Sequence, residues 1–175
     1  MPKKTRPFMP PDPTGEFRYR VPIYLLNMLV AVGRVRDAEL EKVLRPFDLT
    51  LMRFRSLAVI WRLGSCTMSE LAIMSASDRT TLTRTVDQLT DAGMVDRAHI
   101  EGDRRKVKLS LTPAGLAALR QAEQAVRLCN DRCLADVSED VQRAMVRGFE
   151  TMLNNFGGTA EQMEKILDPR EMERD

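Results

Sequence analysis

The sequence predicts a mainly α fold that carries one small β-hairpin. Apolar residues recur at helical spacing along most of its 175 residues. Residues suited to helix starts stand at Thr50, Thr67, Ser77 or Asp78, Thr112 and Ser138. Between Gly93 and Thr112 the pattern changes. MVDRAHI and KVKLSL alternate and are rich in β-branched residues, with EGDRR between them as a hairpin loop.

The first stretch, residues 1–20, is proline-rich and mildly basic and reads as an extended arm. Either it is a loose tail, or Phe17, Arg18, Tyr19 and Arg20 pack across a neighbouring subunit or reach into a pocket. Pro22 is suited to the first turn of a long helix running to about Leu44. Leu26, Leu29, Val30 and Val32 do not fit one narrow stripe, so this helix should be covered on more than one side. It is expected to be a dimerisation helix, interrupted by the polar Tyr24 and Asn27.

Pro46 and Asp48 break that helix, and Thr50 caps the next, Leu51 to about Leu63. Phe54, Leu57, Ala58 and Trp61 lie on or near its buried side, with Arg53, Arg55 and Arg62 among them. Gly64 ends it. Thr67 and Glu70 have capping-box spacing, Leu71 and Ala72 give a short helix its apolar side, and Ser75–Ser77 form a turn. A further helix follows, with Leu82, Val86 and Leu89 on the core side. Its opposite side carries Thr80, Arg84 and Asp87, with Ser77, Thr81 and Gln88 nearby. Gly93 is placed to stop it in the left-handed conformation.

After the hairpin, Thr112 and Pro113 start a helix that runs to about Val137, with Leu116, Leu119, Val126, Cys133 and Val137 on its apolar face. Ser138 caps the last helix, to Asn155, where Val141, Met145, Phe149, Met152 and Phe156 repeat on one face before Gly157 and Gly158. These two helices have more apolar surface than the middle segment can cover, which predicts packing across a twofold axis. The expected organisation is an arm (1–20), a helical dimerisation region (21–48 and 113–158), a winged helix-turn-helix (49–112) and an acidic tail (159–175).

Composition bounds the function. The chain is 43% hydrophobic and 30% charged, with a net charge of only +2, so bulk charge is not what would bring it to nucleic acid. Charge is local instead. From Arg97 to Lys108 there are five bases (Arg97, Arg104, Arg105, Lys106, Lys108) against two acids (Glu101, Asp103). That favours a positioned binder of double-stranded DNA. Thr80, Thr81 and Arg84, with Ser77 beside them, suit base edges in the major groove. Arg79 and Arg97 suit phosphates, and Arg104, Arg105 and Lys106 suit phosphate or minor groove from a wing.

Other chemistries have little support. His99 is the single histidine, and neither a glycine-rich phosphate loop nor a nucleophile elbow occurs. An enzyme, a metal or a cofactor is therefore not expected. No apolar span suits a membrane and no signal peptide is apparent, so a cytoplasmic protein is expected. Cys66, Cys129 and Cys133 are expected to be free thiols. Cys133, on the apolar face, reads as packing rather than sensing.

The ordered set SELA (69–72), DRTTLTRTVDQL (78–89), AGMVDR (92–97) and GDRRKVKLSLTPAG (102–115), with LTLMRFRSL (49–57) upstream, resembles the MarR family of bacterial transcriptional regulators. The resemblance implies a homodimer that reads a pseudo-palindromic operator and most commonly represses it. It also implies that Asp103 orients basic side chains while Arg105 enters the minor groove. Similar proteins commonly bind small aromatic acids, phenols or their thioesters between the dimerisation helices and the winged domain. Here Arg20, Tyr24, Asn27, Arg53, Trp61 and His99 are the residues expected to hold such an effector. Arg53 departs from the family, which often has a neutral polar residue there. Two rival expectations are a cysteine-based redox regulator on the same fold and a winged helix used only for protein contacts.

Overall fold

A computed structural model describes residues 17–75, 78–100 and 103–155. In order they form α1 (Phe17–Leu44), a 3-10 turn (Arg45–Phe47), α2 (Leu51–Arg62), β1 (Cys66–Thr67), α3 (Met68–Ser75), α4 (Arg79–Asp91), β2 (Val95–Ile100), β3 (Asp103–Leu111), α5 (Pro113–Leu134) and α6 (Glu139–Asn155). The mainly α fold with a small hairpin is therefore present. Contacts divide the chain into two compact units, Met1–Ala38 and Glu39–Asp175.

The described part of the first unit is helical. Its helix begins at Phe17, ahead of the start expected at Pro22, so the proline lies inside the helix rather than in its first turn. Ile23 and Val35 are about two-thirds exposed, and Leu25, Leu26, Leu29, Val30 and Val32 are also open.

In the second unit one core gathers Leu40, Leu44, Leu57, Ile60, Leu71, Leu82, Leu89 and Leu109, each essentially buried. Full burial of each leucine contributes roughly 1.5–3 kcal/mol. The last turns of α1 and the length of α5 from Leu119 through Ala122 and Val126 to Cys129 belong to this core. It thus extends beyond 49–112 on both sides.

Local chemistry sets the element ends. Asp48 adopts the left-handed conformation (φ 54°) after the 3-10 turn. The Thr50 hydroxyl accepts from the Arg53 amide at 3.2 Å, and the Leu51 amide donates to Glu41 Oε1 at 3.0 Å. Two otherwise free amides of α2 are thereby satisfied. On α2 the buried residues are Leu51, Ser56, Leu57, Val59 and Ile60, while Phe54, Ala58 and Trp61 are half-buried against them. The Thr67–Glu70 capping box is formed, with the Thr67 amide donating to Glu70 Oε2 at 2.7 Å and the Glu70 amide to Thr67 Oγ1 at 3.3 Å.

The sheet corrects two expectations. It has three antiparallel strands in the order β1-β3-β2, because Cys66 and Thr67 pair with Leu109 and Lys108. Nothing local marks two residues as a strand, since their pairing partner lies more than forty positions away. Moreover β3 begins at Asp103, so the expected loop residues Asp103, Arg104 and Arg105 belong to the strand. The ladder is irregular there: His99 faces Val107, yet Ile100 faces Asp103.

Thr112 starts α5 and ties it to the hairpin. Its hydroxyl accepts from the Gly115 amide at 3.0 Å and donates to the Gly93 carbonyl at 2.7 Å, while its own amide donates to the Met94 carbonyl at 3.1 Å. A Cβ at Gly115 would stand 2.0 Å from the Met94 carbonyl oxygen, so the two backbones meet there only because residue 115 is glycine. α5 ends at Leu134, three residues before the expected Val137, and Asp136 turns left-handed (φ 66°). Cys133 is exposed and Cys129 is the buried thiol, which reverses the expected packing role. On α6, Val141, Met145, Val146 and Leu153 are all exposed within one chain.

Candidate nucleic-acid interface

α4 is built as a two-faced helix. Leu82, Val86 and Leu89 are buried, while Arg79, Thr80, Thr81, Thr83, Arg84 and Asp87 are exposed. Asp78 caps it, accepting from the Thr81 amide at 2.8 Å. That backbone hydrogen bond, joined by the Thr81 hydroxyl, holds the Asp78 carboxyl below its ordinary range. The cap thus places a carboxylate at the positive end of the helix dipole. At the other end Gly93 (φ 67°) adopts the expected left-handed stop, with the Met94 amide bonded to the Leu89 carbonyl at 2.9 Å.

Arg79, Thr80, Thr83, Arg84 and Asp87 line an open concavity of about 450 Å³ on this helix. Two guanidiniums and two hydroxyls around one carboxylate form a mixed donor and acceptor surface, the kind that matches base edges. Thr85, on the core side, is buried by donating to the Thr81 carbonyl at 2.9 Å, so its hydroxyl costs the interior little.

The hairpin is fixed to α4 by charge. Val95 is buried, and on an alternating strand Arg97 and His99 share its face. The Arg97 guanidinium pairs with the Asp87 carboxylate. Asp103, Arg104, Arg105 and Lys106 follow at the start of β3. Ser77 lies outside the described residues.

Known proteins decide the lineage. A model of the MarR family matches residues 49–107. The HTH-type transcriptional regulator PecS of Dickeya dadantii is 30% identical over 132 residues, 73% of this chain and 78% of its own. The chain belongs to the MarR family. It is a DNA-binding transcriptional regulator of the MarR type. The multiple antibiotic resistance protein MarR of Salmonella typhimurium is 33% identical over 107 residues, covering 57% of this chain and 74% of that protein. Among solved structures, a cysteine-to-serine mutant of Escherichia coli MarR complexed with operator DNA superposes with a TM-score of 0.70 at 26% identity, over 77% of this chain and 97% of that one. Bordetella bronchiseptica BpsR, whose structure concerns regulation of its DNA binding by 6-hydroxynicotinic acid, shares the fold at 20% identity and a TM-score of 0.68, over 74% of this chain and 98% of its own.

Within this MarR-type frame the expected effector residues lie on separate elements. Arg20, Tyr24 and Asn27 are on α1 in the first unit. Arg53 and Trp61 are both on α2, half-buried and eight residues apart, roughly 12 Å along the axis. His99 is exposed on β2 opposite Val107. Arg53 turns toward α4, where its Nη2 donates to Gln88 Oε1 at 3.3 Å, while Nη1 reaches the Asp48 carbonyl at 3.4 Å. Thr83 and Asp87, which line the concavity, are absent from the expected DNA contacts. Their spacing of four and eight residues from Arg79 was the signal for them. Gln88 as a partner of Arg53 carries no sequence signal at all.

Proposed function

We propose that this regulator works as a homodimeric repressor, laying α4 of each protomer in the major groove of a pseudo-palindromic operator. The observation that carries the reading is the capped α4 face, where Arg79, Thr80, Thr83 and Arg84 stand exposed around one concavity. In this reading Thr80, Thr81 and Arg84, with Ser77 beside them, meet base edges, and Arg79 meets the backbone. At the wing Arg104 and Lys106 meet phosphate, while Arg105, oriented by Asp103, enters the minor groove. Arg97 contributes through its pair with Asp87, which supports the angle between helix and wing. The apolar residues left open on α1 and α6 support pairing of two chains. No helix among the described residues is long and apolar enough to cross a membrane, which fits action on DNA in the cytoplasm.

The signal is proposed to be a small aromatic acid or its thioester, which binds the protein and weakens its hold on DNA. The MarR-type frame supports this, as does the half-buried guanidinium of Arg53 beside the DNA-reading helix. Trp61 and His99, which belong to the same unit as Arg53, are proposed to complete the site.

Titration of labelled DNA from upstream of its own gene tests the reading. Arg84→Ala should weaken binding by about tenfold or more and relax preference at one base position. Arg105→Ala should weaken it and reduce the salt slope by roughly one. Binding by both variants that matches the wild type across a salt series rejects the interface.

A further inference from the structure

We infer that Arg53 is a carboxylate-exchange site: a small carboxylate pairing side-on with its Nε–Nη2 edge displaces Gln88 and so removes the polar contact that helps set the position of α4 on α2. The inference rests on the reading that this regulator answers to a small acid.

A guanidinium presents five N–H donors in a fixed fork. Here Nη1 donates to the Asp48 carbonyl at 3.4 Å and Nη2 to Gln88 Oε1 at 3.3 Å. Both bonds are long against the usual ~2.9–3.0 Å. The Nε atom is buried and has no partner among the described residues. One turn along the same helix Ser56 is fully buried, and its Oγ is likewise without a partner. Residues three apart on a helix are neighbours, so α2 holds two buried, unpartnered polar groups within one turn. Buried polar groups nearly always have partners, which makes this pair a place that wants an acceptor.

The geometry of the fork decides which acceptor. Nε and Nη2 lie on the same edge of the guanidinium, the edge that a carboxylate grips with two parallel bonds. Nothing satisfies Nε in that way without also taking Nη2, and Nη2 is what holds Gln88. A charged carboxylate makes bonds about twice as strong as a neutral amide oxygen does, so the exchange runs toward the acid. Gln88 lies one turn after Arg84 on the helix that carries the exposed concavity. Acid binding and α4 placement therefore share one contact. By linkage, DNA weakens acid binding by the same factor as the acid weakens DNA binding.

The test uses the full-length protein, with benzoate and salicylate as probes, in calorimetric titrations with and without DNA from upstream of its own gene. Melting curves confirm that each variant is folded. Wild type should bind benzoate, Arg53→Gln should lose about tenfold or more, and Gln88→Ala should bind several-fold more tightly because the competitor is gone. In Gln88→Ala the ratio of benzoate affinities with and without DNA should fall toward one, while DNA is still bound. Unaltered benzoate affinity and unaltered coupling in Gln88→Ala overturn the exchange. Wild-type affinity in Arg53→Gln, or no binding of either probe by wild type, overturns the site itself. Failure to bind the DNA is a failure of the DNA reading instead, and the benzoate affinities of the two variants still decide the exchange.

Discussion

Arg97 on β2 and Asp87 on α4 form the charge contact that joins the hairpin to the helix proposed to read DNA. Both side chains keep more than a third of their surface in water, at 36% and 50%, so screening limits what the pair adds to folding. Its effect is on orientation. Arg97→Ala or Asp87→Ala should lower stability by no more than about 1 kcal/mol. Operator affinity should fall further, by about tenfold, which corresponds to about 1.4 kcal/mol. Urea unfolding and DNA titration of both single variants and the double variant check this, and additive losses in affinity would show that the two residues act separately.

The join between Thr112, Gly115 and Met94 should be intolerant of change. Gly115→Ala places a Cβ 2.0 Å from the Met94 carbonyl oxygen, and a backbone neighbour cannot swing aside as a side chain can. A loss of about 1–3 kcal/mol is expected, read as a lowered Tm. Thr112→Val removes the bonds to the Gly115 amide and the Gly93 carbonyl and should cost roughly 1–2 kcal/mol.

Asp78 gives the helix a pH dependence of known sign. Its folded pKa is depressed, chiefly by the Thr81 amide and then by the Thr81 hydroxyl. A depressed carboxyl contributes stability above its unfolded pKa of about 3.9, and that contribution is lost as pH falls through the folded value. Asp78→Asn retains a capping oxygen but does not titrate. Unfolding followed from pH 6 to pH 2 should show a steeper acid decline in wild type than in this variant.

The three thiols should react in a fixed order. Burial, with a contribution from the Glu70 charge, pushes the Cys66 thiol up to about 11, so at pH 8 it stays protonated and covered. Cys129 is buried and Cys133 is exposed. A disulfide reagent at pH 8 should show one fast thiol, and Cys133→Ser should abolish that phase. A fast Cys66 would contradict this order and favour a redox-sensing role.

What was legible in the sequence was whatever short-range chemistry determines. The caps at Thr50, Thr67, Asp78 and Thr112 each act over three residues, and each is formed. The core side of α4 follows from one helical period. Contacts between distant residues left no local trace. Cys66 and Thr67 become a strand only through β3, and Arg53 meets Gln88 across thirty-five positions. Cys133 was misplaced for a geometric reason. Stepping by sevens from Leu119 through Val126 drifts about 20° per step around a straight helix, while the buried line runs through Ala122, Val126 and Cys129. The role proposed for the wing comes from the family resemblance, because the residues alone leave it open between phosphate and minor groove.

The threonines of α4 leave one more mark. Thr83 donates its hydroxyl proton to the Arg79 carbonyl at 2.8 Å, in the same manner as Thr85 and Thr90 toward their own preceding turns. With the proton committed inside the helix, the exposed Thr83 oxygen has only lone pairs to offer outward. A base edge that meets it has to bring the hydrogen itself. The exocyclic amines of adenine and cytosine do so, whereas guanine O6 and thymine O4 do not. If α4 lies in the major groove as proposed, that point of the surface would discriminate by the direction in which a proton is shared, with no charge involved.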